Sequence, residues 1–144
     1  LPFFGEEFYM SINVKPIATI NGKKYPLVFG FKFLNEINAL KPDVEEVDGF
    51  VQLIGGLQDG DAFAFQKLMH AALITYDDLT TKEIDDYLET SEEALTLFEN
   101  FISFLEQAPL TALRTKKTLE VIQKIMDYMK QIDQMEANQQ ETTV

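Results

Sequence analysis

The sequence predicts an α+β fold, an N-terminal β-hairpin followed by a mostly α-helical domain of five or six helices. Three observations carry it. The dipeptide Asn21-Gly22 separates two apolar, strand-like runs, the apolar spacing changes from two to three and four after Gly30, and helix-capping signals recur through the remainder.

The hairpin is expected over residues 12–29, with Ile12, Val14, Ile17, Ile20, Tyr25, Leu27, Val28 and Phe29 around Asn21-Gly22. A two-residue type I′ turn needs positive φ at both positions, which Asn and Gly adopt most readily. Pro16 and Pro26 each remove a ladder donor, so these strands belong at a sheet edge or a bulge. After Gly30, the spacing of Phe33, Leu34, Ile37 and Leu40 predicts a short helix that Pro42 stops. Asp48 is placed to cap a second one carrying Phe50, Val51, Leu53 and Ile54, and Gly55-Gly56 reads as its break. Asp61 then caps a longer helix to Tyr76, with Phe65, Leu68, Met69, Ala72 and Tyr76 on one face.

Two capping boxes follow, Thr80-Thr81-Lys82-Glu83 and Thr90-Ser91-Glu92-Glu93, each opening a helix. The first is short. The second, over residues 92–107, carries Leu95, Leu97, Phe98, Phe101, Ile102, Phe104 and Leu105 around more than half its circumference, as a central helix would. Pro109 ends it, and a last helix is expected from about Thr111 to Glu136. The organisation is then a single α+β domain over residues 10–137 (hairpin 12–29, helical part 30–137). It is preceded by residues 1–9, read as a cloning remnant or upstream extension ahead of Met10, and followed by a disordered polar tail at 138–144.

Composition narrows the function. The formal charge is -12, and residues 42–106 hold 16 acidic against 2 basic residues, which disfavours a nucleic-acid partner. The flanks are basic: residues 10–41 carry 5 basic and 1 acidic residue, and residues 107–130 carry 5 and 2. Such segregation lets both flanks attract either the acidic middle or a like copy of it, and together with an apolar seam on the last helix (Ile122–Ile132) it points to self-association. Cysteine is absent, which removes disulfides, thiolate metal sites and thiol nucleophiles and suits a reducing cytosol. No apolar run reaches the roughly 18 residues of a membrane helix.

Catalysis finds little support. The single histidine, His70, lies in a helical stretch without an accompanying nucleophile motif and reads as structural. Asp59-Gly60-Asp61 lacks the later ligands of a calcium loop, the pairs Asp77-Asp78 and Asp85-Asp86 point apart as neighbours do, and Gly55-Gly56 lacks the lysine of a phosphate loop. No cofactor or metal is expected.

The apolar residues are more informative. Phe29, Phe31 and Phe33 alternate across the strand-to-helix junction, so that Phe31 and Phe33 either plug the hairpin onto the helices or face a partner. Ile122, Ile125, Met129 and Ile132 recur at spacings of 3, 4 and 3, a coiled-coil-like seam that fits packing on its own domain and pairing with another chain equally well. These six are the candidate partner-binding residues.

The stretch from Ile20 to Ile37, with its core Asn21-Gly22-Lys23-Lys24-Tyr25-Pro26-Leu27-Val28-Phe29-Gly30-Phe31-Lys32-Phe33, resembles the N-terminal signature of the tail assembly chaperones of long-tailed phages and prophages of Gram-positive bacteria. The likeness continues more loosely to about Pro109. It implies a non-enzymatic helper in the host cytoplasm, absent from the mature virion, which binds the tape measure protein and helps recruit tail-tube protein around it. No binding residue is implied by the resemblance. The competing reading is an acidic DNA mimic that inhibits a DNA-binding protein, supported by the charge of residues 42–106 but opposed by twelve Phe.

Overall fold

The structure is a computed structural model that describes residues 14–38 and 49–142. The expected start at Met10, the first hairpin residues, the stop at Pro42 and the cap at Asp48 lie outside the described residues, as do Thr143 and Val144. Two strands, β1 (Ile17–Ile20) and β2 (Lys23–Pro26), are followed by six helices among the described residues. These are α1 (Phe31–Asn38), α2 (Gly49–Gln58), α3 (Ala62–Ala72), α4 (Thr81–Thr90), α5 (Glu92–Gln107) and α6 (Ala112–Thr142). The α+β reading therefore holds.

The hairpin forms as the turn residues dictate. Asn21 and Gly22 have φ of 54° and 77°, and the antiparallel register pairs Ile20 with Lys23 and Ile17 with Pro26. Pro26 costs no inner ladder bond because each strand has only one neighbour. Alternation turns Ala18, Ile20 and Tyr25 into the core, joined by Leu27 from the segment that leaves β2.

The exit from the hairpin is fastened to the helices by Val28 N–H donating to the Ala72 carbonyl (3.0 Å) and the Tyr76 hydroxyl to the Pro26 carbonyl (2.6 Å). Phe29 and Phe33 then meet edge to face and Phe29 packs the same way on Phe101, which puts α5 at the centre of the core as expected.

Four local expectations are corrected. Helix α2 runs through Gly55-Gly56 to Gln58 instead of breaking there. Gly56 serves the close approach of α3, since a Cβ built on it would lie 2.7 Å from the Cβ of Ala64. Helix α5 is capped by Ser91, whose hydroxyl accepts from Glu93 N–H, and the Thr90 hydroxyl instead donates to the Asp86 carbonyl of α4. The other caps are as expected: Asp61 accepts from Phe63 N–H, and Thr80 and Glu83 form a reciprocal capping box. Helix α3 closes at Ala72, short of Tyr76, and α6 continues to Thr142, past Glu136.

The Glu93 side chain, free of a capping box, ties three elements together. It accepts from Thr19 N–H (2.6 Å), the Thr19 hydroxyl (3.1 Å) and the Tyr87 hydroxyl (2.6 Å). Burial would raise its pKa, but the bonds from Tyr87 and Thr19 outweigh it and hold the carboxyl below its ordinary value. Asp78 is likewise lowered, first by Lys23 and then by Tyr25, which both donate to it. A carboxylate with a lowered folded-state pKa contributes stability that is present above its unfolded value and lost as pH falls through the folded one. Acidification from about pH 5 to pH 3 should therefore lower the urea midpoint steadily. Glu93→Gln should be less stable than the parent at pH 7 and lose less on acidification; equal slopes would remove Glu93 from the account.

Candidate functional site

Among the described residues, exposed apolar side chains gather on two surfaces, besides single ones such as Phe31 and Ile74. The first belongs to α6. Its root packs on α2 and α5 through a polar stripe, Thr111, Thr115 and Thr118, all buried. Their burial is tolerated where the hydroxyls are used: Thr111 donates to the Leu105 carbonyl and Thr115 to the Thr111 carbonyl, both at 2.7 Å. Leu119 and Ile122 complete the packed part. From Gln123 to Gln139 every residue is exposed, so the helix overhangs the body.

The packed stripe continues along the same side of the overhang. Residues three and four apart share a helix face, so Thr115, Thr118 and Ile122 lead on to Ile125, Met129 and Ile132. Met129 is 59% exposed and Ile125 45%, flanked by exposed Met126, Tyr128 and Met135. Of the six candidate residues, Ile125, Met129 and Ile132 therefore lie together on free surface, and Ile122 sits at the edge of the core. Phe31 is 73% exposed at the start of α1, apart from that group. Phe33, 1% exposed, is a core residue and offers no surface, because it closes the hairpin against Phe29.

The second surface is a groove of about 530 Å³ between α3, α4 and α5. Phe65 and Phe98 stack at its floor (4.3 Å between centroids, 12° between planes), Leu88 lines it, and Phe63 and Leu95 stand 74% and 60% exposed at its mouth. Its charged lining is acidic only: Asp85, Glu89 and Glu92. Asp85 Oδ1 accepts from Gln66 (3.0 Å) and meets His70 Nε2 at 2.7 Å. Gln66 contributes most to keeping its pKa below the ordinary range, against burial and with help from His70. His70 thus orders the wall of the groove. Sequence reasoning missed this site. Its signal was the surplus of apolar residues around α3 and α5, where Phe63 and Leu95 fall outside the buried stripe.

Among the described residues, no group of three or more His, Asp or Glu side chains is placed to hold a metal ion, and no helix is long and apolar enough to cross a membrane.

Comparison with known proteins gives one finding. Residues 18–123 match the family model described as phage tail assembly chaperone protein. The match runs from β1 to the root of α6 and includes the groove. No curated protein and no solved structure matches the chain.

Proposed function

Because the chain belongs to the phage tail assembly chaperone family, we propose that it binds an apolar, helical stretch of the phage tape measure protein and helps recruit tail-tube protein during tail morphogenesis. It does so by binding alone, in the host cytoplasm, and leaves before the virion is complete. The observation that supports this reading is the overhang of α6, which holds Ile125, Met129 and Ile132 in water on a helix anchored at its root.

Such a face suits a helical client. A helix satisfies its own backbone hydrogen bonds, so two amphipathic helices associate through side chains alone, and the affinity comes from apolar area removed from water. A long client would otherwise expose its apolar stripe to other copies of itself. The net charge of -12 on the chaperone keeps the coated complexes apart. The DNA-mimic alternative is weaker on this structure, because Asp78, Glu83 and Glu93 are engaged by hydrogen bonds from the hairpin and do not stand as a free row of charge.

Co-expression with the tape measure protein of the same phage tests the reading. The unmodified chain should bring most of the client into the soluble fraction, and Met129→Glu or Ile132→Glu should lower that fraction severalfold. Both positions are exposed, so the variants' own stability should stay within about 0.5 kcal/mol of the parent. A client that stays insoluble beside the unmodified chain would end the chaperone reading, and full solubility with both variants would remove the overhang from it.

A further inference from the structure

We infer that the groove between α3, α4 and α5 is a second docking site, which receives an amphipathic helix of another protein whose apolar stripe is flanked by Lys or Arg. It lies on the body, on helices that the overhanging part of α6 does not share. The site therefore stands independently of the use proposed for the overhang.

Shape and chemistry select the occupant. The walls are helices whose backbone groups are already engaged, so a strand laid in the groove would find no edge to pair with; a helix brings its own hydrogen bonds. A small molecule would need polar groups converging inside the cavity, whereas here the floor is the Phe65–Phe98 stack and the acidic groups stand on the lining beside it. Phe63 and Leu95, both exposed, give such a helix two apolar contacts at the mouth. Glu89 and Glu92 make no ion pair among the described residues, and the groove is lined by no lysine or arginine. Flanking basic residues on the incoming helix would neutralise them.

The same charge argues against the overhanging helix of a second copy as the occupant. Its own overhang, residues 123–139, sets two lysines against Asp127, Asp133 and Glu136, so it would bring net negative charge to an acidic rim. An unlike protein fits better.

The test uses three fluorescein-labelled 18-residue peptides: an amphipathic Leu/Lys helix, its Leu/Glu counterpart, and a scrambled Leu/Lys sequence of the same composition. In anisotropy titrations the full chain should bind the Leu/Lys helix at least about tenfold more tightly than either control. Leu95→Glu should weaken it by about tenfold or more, because it replaces an apolar contact at the mouth with a charge that the incoming helix must desolvate. The double variant Glu89→Lys with Glu92→Lys should weaken it too, by a factor that shrinks as salt is raised. Both sets of positions are exposed, and unchanged circular dichroism would confirm folded variants. Equal binding of the three peptides, no binding of the Leu/Lys helix, or indifference to both variants would overturn the inference. So would a fall in the sedimentation mass of the chain alone on Leu95→Glu, which would make a second copy the occupant.

Discussion

Phe101→Ala is expected to destabilise the protein by about 3–5 kcal/mol, the cost of emptying a phenyl-sized volume in a core that cannot fully collapse. Phe101 is fully buried and its ring touches three others: Phe29 from the hairpin exit at 5.6 Å, Phe65 from α3 at 5.9 Å and Phe104 one turn further on α5 at 6.2 Å. All three contacts are edge to face, the arrangement in which ring quadrupoles attract. The loss is comparable to the whole stability of a marginal domain, so a fall of roughly 10 °C in melting temperature, or failure to fold, is the expected readout. Leu95→Ala, at an exposed site on the same helix, should stay within about 0.5 kcal/mol. A melting temperature for Phe101→Ala within a degree or two of the parent would show that the hairpin, α3 and α5 do not share this centre.

Gly56→Ala should also destabilise, against the usual rule for helices. Inside a helix Ala is better than Gly by about 1 kcal/mol, since it loses less backbone freedom. Here the added Cβ would sit 2.7 Å from the Cβ of Ala64, a distance that carbon atoms do not tolerate. A Cβ cannot rotate away, so α2 and α3 must separate, and overpacking of this kind costs about 1–3 kcal/mol. The net effect is a loss of up to about 2 kcal/mol. Combining Gly56→Ala with Ala64→Gly relieves the clash, and a urea-unfolding double-mutant cycle should show the two changes compensating by more than about 0.5 kcal/mol. Additive losses would mean that the helices are not in contact at this point.

Where the deciding physics is local, the sequence was sufficient. Asn21-Gly22 sets its own turn, Asp61 and Thr80 cap the helices that follow them, and the apolar spacing of α5 marks a central helix. Gly55-Gly56 was misread because a sequence displays a glycine's freedom and conceals the neighbour for which its missing side chain makes room. The second cap was ambiguous, because Thr90 and Ser91 are adjacent hydroxyls and only the end of α4 decides which one is free. In α6 hydropathy points the wrong way: the buried stripe is threonine and the exposed one isoleucine and methionine, since burial there depends on where the body ends. The groove is a property of three helices at once, and no single segment announces it.

The length of the overhang separates the two surfaces electrostatically. Each helical residue advances about 1.5 Å, so Met135 stands about 20 Å beyond Ile122, the last residue packed on the body. At physiological ionic strength the screening length is about 8 Å, so the field of the acidic body has decayed several-fold by the time it reaches Met135. Apolar contacts made toward the tip of α6 therefore feel mainly the mixed local charge of Lys130, Asp133 and Glu136, and depend less on salt than contacts in the groove. Contacts made in the groove lie against carboxylates and weaken as salt rises. Ionic strength alone thus tells which end of the molecule holds a given partner.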